Sequence, residues 1–308
     1  MNATTLIRAP QDDAEVGAVT LAGPEEVRAA LDANVAATRA CRELPAYARA
    51  AALRKIADGL EAARAEFART LALEAGKPIT QARTEIDRAI FVFRDGAEEA
   101  TRIDGEVLPA DVVPWGKGRL AITRRFPLSP IVGITPFNFP VLLAAHKIAP
   151  AMACGATITL KPPPQDPLTT LRLGDLVKAS GYPDGAVNIV PCHVDVAQVL
   201  IEDPRVRLIT FTGSAKAGWA IRAKAGSKRV LLELGGNAAV IVEPDADLTW
   251  AAARCAIGGF TYAGQSCIST QRIYVHERVY QAFLDWLLEK VKQLKVGDVL
   301  DDHTDVGP

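Results

Sequence analysis

Cys267 stands in the stretch GQSCIST, just after the glycine-rich run that contains Gly258, Gly259 and Gly264. Glycine and hydroxyl neighbours give a thiol little apolar cover, and a thiol on an irregular turn is accessible enough to act as a nucleophile. A lone cysteine is more often a small core residue, so residue type alone decides nothing here. Glu233, in LLELGGN, sits among apolar residues at the end of a predicted strand. A carboxylate in such surroundings must be partnered or carry a raised pKa, and a raised pKa suits a general base; capping or ion pairing is the bland alternative. Asn138 lies in TPFNFP, after a short apolar strand. Open α/β sheets bind ligands at the carboxyl ends of their strands, where a side-chain amide can donate to a developing oxyanion, although Asn also simply shapes turns.

Two further segments suit an anionic ligand. The turn FTGSAKAG, Phe211 to Gly218, connects a predicted strand to a predicted helix. Gly213 there allows close backbone approach, and free N–H groups at a helix start can receive a diphosphate. The segment is neither G-x-G-x-x-G nor a P-loop. Lys161, in TLKPPP, leaves another strand and could bind a ribose or phosphate, though a lysine in that position is more often solvated. Metal chemistry has no obvious ligands: the five cysteines and four histidines are scattered, with no C-x-x-C pair and no H-x-x-x-H. The odd cysteine count also argues against a disulfide framework.

Periodicity gives the elements that carry these residues. From Pro24 to about Arg102 the chain reads as three amphipathic helices: one begins at Pro24, the next restarts at Pro45 and stops at Gly76-Lys77-Pro78, and the third runs from Ile79. Gly105 to Arg125 changes to Gly, Pro and Trp followed by alternation at Leu120 and Ile122, a protruding hairpin. After Pro130 strand and helix strictly alternate: strands at Ile131–Thr135, Ala156–Leu160, Val187–Val190, Val206–Phe211 and Arg229–Leu234, with intervening helices at Val141–Ala153, Leu168–Ala179, Val196–Ile201 and Ala215–Lys224. Such alternation implies a parallel sheet with helices on both faces. Strands at Ala238–Val242 and Arg272–His276, with helices at Leu248–Phe260 and Val279–Leu294, begin a second α/β unit. The expected fold is therefore α/β: a doubly wound parallel-sheet nucleotide-binding domain (1–104 and 126–235), a hairpin (105–125), and the first part of a second α/β catalytic domain (236–308).

Whole-chain properties narrow the partners. With 35 Lys and Arg against 36 Asp and Glu, the 308-residue chain carries a formal charge of -1 and no global field to hold a polyanion, which excludes nucleic acid as the main partner. The charge-free run from Phe126 to His146 contains Pro127, Pro130, Pro136 and Pro140 and cannot keep a continuous membrane helix. Arg8, Asp12 and Asp13 fall where a signal peptide needs apolar residues, so a cytoplasmic location is expected. Asn2-Ala3-Thr4 matches the glycosylation pattern but carries no weight without a secretory signal.

Taken in order, TPFNFP, LKP, FTGS, LELGGN and GQSC, with Cys267 placed 34 residues after Glu233, resemble the aldehyde dehydrogenase superfamily over essentially the whole chain. The resemblance implies an NAD(P)-dependent oxidoreductase. Cys267 would attack an aldehyde to give a thiohemiacetal, with the oxyanion held by the Asn138 amide and the Cys267 backbone N–H. Hydride would pass to the nicotinamide, and Glu233 would activate the water that hydrolyses the resulting thioester. It also implies nucleotide contacts at Lys161, Gly213 and Ser214, with Thr135, Pro136, Phe137, Pro164 and Leu234 along the cofactor, and assembly as a homodimer or homotetramer through the hairpin.

Three departures qualify the resemblance. Pro164 stands where many NAD-preferring members carry a glutamate, and losing that carboxylate removes repulsion against a 2′-phosphate, so NADP is expected to be tolerated or preferred. Cys192 replaces a frequent glycine after the NIVP strand. Family members also run longer, the later E-x-F-G-P motif is absent, and the chain is expected to be truncated after Asp305-Val306-Gly307-Pro308. The wording NFPVLLAAHKIAPA and GQSCISTQRIYVH is most similar to the branch of lactaldehyde, semialdehyde and non-phosphorylating glyceraldehyde-3-phosphate dehydrogenases, which implies a small polar or anionic aldehyde. His146 could then face the substrate tunnel or be a satisfied helix residue. The competing readings are an acylating, coenzyme A-dependent dehydrogenase, which Glu233 counts against; a cysteine hydrolase, for which no histidine pairs with Cys267; and a noncatalytic nucleotide-binding fragment.

Overall fold

The computed structural model describes residues 4–308, so Asn2 and Ala3 of the glycosylation pattern lie outside the described residues. In chain order the elements are β1 (Thr4–Arg8), β2 (Glu15–Thr20), α1 (Pro24–Glu43), α2 (Ala46–Ala62), α3 (Arg64–Ala75), α4 (Ile79–Glu99), β3 (Val107–Pro109), β4 (Leu120–Ile122), β5 (Ile131–Ile134), α5 (Pro140–Cys154), β6 (Ile158–Lys161), α6 (Leu168–Ala179), β7 (Val187–Ile189), α7 (Gln198–Glu202), β8 (Leu208–Thr212), α8 (Ala215–Lys224), β9 (Arg229–Glu233), β10 (Ala238–Val242), α9 (Leu248–Phe260), β11 (Thr270–Val275) and α10 (Tyr280–Lys292).

Five strands form one sheet in the order β7-β6-β5-β8-β9, every pairing parallel. The chain winds outward from β5 to β7, then returns to build β8 and β9 on the other side. This reversal makes the carboxyl ends of β5 and β8 a topological switch point, where a crevice opens for ligands. The pleat sends alternate residues to opposite layers. Val132 and Ile134 of β5 join Ile209 and Phe211 of β8 in a core with Val27 and Leu31 of α1, while Leu160 of β6 packs with α2, α4, α5 and α6. β10 and β11 pair in parallel in a separate small sheet, cored by Val242, Ala252, Cys255 and Phe283.

The sheet-building half of the sequence folds as its alternation predicts, with element ends within a few residues. The helical half differs in one respect: four helices occupy the region read as three, because the second breaks at Ala63 (φ -101°, ψ 15°) into α2 and α3. Neither Gly nor Pro marks that break. Both pieces bury apolar faces, Leu53, Ile56 and Leu60 in α2 and Phe67 and Leu71 in α3, and packing redirects the chain between them. The antiparallel hairpin β1–β2 was also not predicted; its strands are short and only Ile7 and Val19 are buried in it. The β3–β4 hairpin pairs Val107 with Ile122 and Pro109 with Leu120.

After α10 the chain returns to the α3–α4 corner. Val299 is buried, its carbonyl accepts the Ile79 N–H at 2.7 Å, and a Cβ added to Gly307 would lie 2.4 Å from the Gly76 carbonyl. Gly76 itself, with φ +63°, is the left-handed residue that ends α3. The turn Gly76-Lys77-Pro78 is thus clamped from both sides.

Candidate active site

The first turn of α5 anchors Asn138. Pro140 opens that helix, where its missing N–H is harmless, and the next two N–H groups, of Val141 and Leu142, donate to Glu85 Oε1 of α4 at 3.0 and 3.1 Å. The side chain of Asn138 reaches the cysteine loop: Nδ2 donates to the Gln265 carbonyl at 3.0 Å. That acceptor sets the amide orientation, since the flipped form would oppose two oxygens. One Nδ2 hydrogen is then left over, and Oδ1 is buried without a partner.

The loop carrying Cys267 is held in an uncommon conformation. Tyr262 (φ 52°), Ala263 (φ 50°) and Gly264 (φ 77°) are consecutive left-handed residues, two of them non-glycine. Such backbone persists only where its surroundings enforce it. Here Tyr262 is buried and its hydroxyl donates to the Ala75 carbonyl at 2.9 Å, while the Ser269 hydroxyl donates to Gly258 O at 3.2 Å. Between these anchors Cys267 is exposed, whereas Cys41, Cys192 and Cys255 are buried and Cys154 is half-buried. Burial pushes the Cys41 and Cys192 thiols up to about 11, which leaves them poor thiolates near neutrality. Among the described residues, no acceptor takes the Cys267 backbone N–H.

Glu233 departs from its expectation. It is exposed rather than enclosed, because β9 is the sheet edge and the strand face it shares with Arg229 and Leu231 is uncovered among the described residues. Three residues on, Gly236 runs against the cysteine loop, where an added Cβ would lie 2.9 Å from the Cys267 carbonyl oxygen. The structure thus gathers the strand exit after Glu233, the Asn138 turn and Cys267 around one loop.

At the switch point the phosphate-suited residues are arrayed along the strand ends. Lys161 ends β6, is 5% exposed, and desolvation lowers its pKa. Thr135 follows β5 and its Oγ1 is buried without a partner. Ser214 caps α8, its hydroxyl accepting the Ala217 N–H at 3.3 Å, and Gly213 donates to the Glu233 carbonyl at 3.0 Å. Pro136 is half-buried and Phe137 exposed beside Thr135; Leu234 meets Gly218 so closely that a Cβ there would come within 2.5 Å of it. Pro164 lies in the β6–α6 loop and brings no carboxylate.

Three charged residues of the site were missed. Lys147, on α5, is buried and donates to Thr210 and Thr212 Oγ1 at 3.1 and 2.9 Å; burial lowers its pKa to about 8 against the opposing pull of the Glu233 carboxylate. It fits because Gly133 opposite has no side chain, a Cβ there standing 3.3 Å from Lys147 Cδ. Lys77 and Glu85 form a fully enclosed ion pair. The signal was in the periodicity: Glu85 falls on the apolar stripe of α4 beside Ala82, Ile86 and Ala89, and Lys147 on that of α5 beside Ala144 and Ile148. A charge at a core position of an amphipathic helix is costly and calls for a partner.

His146 and Arg88 border an open cavity of about 750 Å³ between α4 and α5, together with Phe91, Leu142 and Ala149. Burial first, then the Arg88 and Lys147 charges, lower the His146 pKa. The cavity begins at Leu142, one turn beyond Asn138, and does not include Asn138 or Cys267. Among the described residues no group of three or more His, Cys, Asp and Glu could hold a metal ion, and no helix is long and apolar enough to cross a membrane.

Comparison with known proteins gives a consistent result. Residues 2–308 match the aldehyde dehydrogenase family profile. The chain is 43% identical over 263 residues to the 3-sulfolactaldehyde dehydrogenase of Priestia aryabhattai, covering 85% of this chain and 55% of that protein. The crystal structure of aldehyde dehydrogenase 21 from Physcomitrella patens, in complex with the reaction product succinate, superposes with a TM-score of 0.95 at 40% identity, covering 100% of this chain and 64% of that one. That of glyceraldehyde-3-phosphate dehydrogenase GapN from Methanocaldococcus jannaschii, complexed with NADP, gives 0.94 at 37% identity, covering 100% and 68%. The chain spans little more than half the length of the curated relative.

Proposed function

Since this chain belongs to the aldehyde dehydrogenase family, we propose that it oxidises a small anionic aldehyde to the corresponding carboxylate through an acyl-enzyme on Cys267. The observation that carries the reading is the hydrogen bond from Asn138 to Gln265, two residues before the exposed Cys267, which leaves one amide N–H of Asn138 free at the cysteine loop.

The Cys267 thiolate attacks the aldehyde carbon, forming a C–S bond as the carbonyl electrons move to oxygen. The remaining Asn138 Nδ2 hydrogen and the Cys267 backbone N–H receive that oxyanion. Family members use NAD or NADP; a nicotinamide held at this site would supply the two-electron acceptor, taking the aldehyde hydrogen as hydride when the oxyanion collapses to the thioester. The resulting thioester is discharged by water from which Glu233, near the mouth of the loop, takes a proton; a thiolate serves both halves because it is a good nucleophile and a good leaving group.

The residues present fit a dinucleotide. The unpartnered Thr135 hydroxyl and the buried Lys161 ammonium offer hydrogen bonds to a ribose or phosphate, and the first-turn N–H groups of α8 behind Gly213 and Ser214 suit a diphosphate. Thr135, Pro136 and Phe137 follow β5, and Leu234 follows β9 in the same parallel sheet, so all four lie toward its carboxyl end. With Pro164 in place of a carboxylate, one source of repulsion against a 2′-phosphate is removed, which supports NADP being bound at least as tightly as NAD.

For the substrate, the Arg88 guanidinium puts positive charge on the cavity along α5, with His146 beside it as a neutral hydrogen-bonding group, and the relative from Priestia aryabhattai is named for a sulfonated aldehyde. Val107, Leu120 and Ile122, 69, 71 and 62% exposed on the hairpin, support its use as a homodimer or homotetramer contact. The domain boundaries we favour are 1–104 with 126–235 for nucleotide, 105–125 for assembly, and 236–308 for the start of the catalytic domain, in a cytoplasmic enzyme.

The test is formation of reduced nicotinamide by the purified chain, with NAD and NADP in parallel, on succinate semialdehyde and on uncharged propanal. Turnover of the anionic aldehyde that Cys267→Ser abolishes supports the reading. No reduction by the wild-type chain overturns it, and a clear preference for NAD overturns the cofactor assignment.

A further inference from the structure

Lys77 plays no part in the proposed chemistry, yet the two loops of the site meet on it. Its side chain is 0% exposed and ion-paired to Glu85. The same ammonium donates to the Asn138 carbonyl at 2.6 Å and lies 4.0 Å from the ring centroid of Phe139 and 4.2 Å from that of Tyr262. Asn138 and Phe139 form the turn ahead of α5; Tyr262 begins the left-handed run that leads to Cys267. Tyr262 is tied back in turn to Ala75, two residues before Lys77. The two rings meet edge to face at 5.9 Å.

An ammonium needs partners for three donors and a full charge, and here a carboxylate, a carbonyl and two aromatic faces supply them. These partners come from three separate segments, so the requirements of one buried charge fix α4, the Asn138 turn and the cysteine loop relative to one another. Glu85 extends the effect by receiving the first free N–H groups of α5 with its other oxygen. Asp166 is also close, but burial raises its carboxyl well above the ordinary range, so Glu85 is the anion paired with Lys77; desolvation and Arg88 both work against the Lys77 charge, which makes that pairing necessary. A methionine would fill the same space but hold none of these groups in place.

We propose that Lys77, paired with Glu85, is a positioning residue that holds the Asn138 amide and the Cys267 backbone N–H at one fixed separation, so that both reach a single oxyanion. The proposal rests on the oxyanion role assigned to Asn138 and Cys267 under the proposed function. A displacement of about 1 Å in such a constellation can cost on the order of 100-fold in rate.

Two reactions of Cys267 separate this role from a merely structural one, and neither needs nicotinamide. With p-nitrophenyl acetate the thiolate attacks the ester carbon, an oxyanion forms, and its collapse expels p-nitrophenolate to leave an acetyl thioester. With iodoacetamide the thiolate displaces iodide and no oxyanion forms. In Lys77→Met, acylation is expected to fall about 10- to 100-fold while alkylation, followed by mass spectrometry on Cys267, stays within about twofold. Because that variant leaves Glu85 buried without its partner, Lys77→Met/Glu85→Gln is measured beside it; it removes both charges, keeps an acceptor for α5, and is expected to show the same split. Unchanged acylation in the folded double variant overturns the proposal, as does an equal loss of both reactions. Acylation by the wild-type chain without aldehyde-dependent reduction of NAD or NADP refutes the dehydrogenase reading while leaving the positioning role standing. A wild-type Cys267 that is alkylated but never acylated refutes both.

Discussion

Glu233 and Cys267 are both exposed, but the proposed chemistry asks different things of them, and a substitution separates the two. In Glu233→Gln the thiol and both oxyanion donors remain, so the acyl-enzyme still forms while its hydrolysis loses a base worth typically about 10²- to 10⁴-fold. The expected outcome is one equivalent of reduced nicotinamide per site in a rapid phase, then a steady state slowed by roughly that factor, with acylated Cys267 visible by mass spectrometry. A variant with no rapid phase would place Glu233 before the thioester instead. Among single residues the sequence was informative about small motifs and poor about environment. Cys267 is as accessible as its neighbours imply, whereas the apolar run around Glu233 suggested an enclosure that the edge position of β9 does not provide.

Among the elements, α5 matters most, since Asn138 hangs from its first turn and Lys147 projects from its middle. Its far end is set by Gly155, left-handed at φ +81°, where an added Cβ would lie 2.8 Å from the Cys41 carbonyl. Gly181 shares the left-handed backbone (φ +88°) with nothing within 4 Å. Alanine at Gly181 therefore meets only the conformational cost of about 1–2 kcal/mol. Gly155→Ala adds a backbone clash, and an extra loss of about 1 kcal/mol or more is expected from the overpacking. Urea unfolding of the two variants checks the difference; equal losses would show that α1 yields at Cys41. Such a contact joins residues far apart in the chain, so no local pattern in the sequence records it. The break at Ala63 is harder still, because Ala favours helix and only the competing faces of α2 and α3 impose it.

For the whole molecule, the buried acids make stability depend on pH with a defined sign. Desolvation raises the Glu74 carboxyl to about 7, outweighing the Thr169 and Leu168 donors, and Glu85 adds repulsion. Asp166 is raised well above the ordinary carboxylate range, again chiefly by burial. Between the unfolded and folded values the native state holds a proton that the unfolded chain has released, so stability is greatest below the unfolded pKa and falls as pH rises through the folded one. For Glu74 the loss is on the order of 3 kcal/mol. Unfolding free energies at pH about 5 and about 8 should show this decline, and Glu74→Gln should make it shallower, leaving the part due to Asp166. Stability that rises over that interval would mean the carboxylate is held ionised by its three donors.

The succession of elements, and the place of each motif on them, is written locally in the chain. Alternating apolar runs and helical stripes are short-range properties, and Asn138, Lys161, Gly213, Glu233 and Cys267 each fall at a strand end or turn for that reason. Which of these ends meet is settled only when the chain is folded. The winding of β8 and β9 back past β5 brings Thr135 and Ser214 to the carboxyl ends of neighbouring strands, and a single buried charge at Lys77, read in the sequence as part of a helix stop, joins the Asn138 turn to the cysteine loop. Desolvating an ion is costly unless several partners gather around it, and those partners come from segments whose separation along the chain no local pattern records.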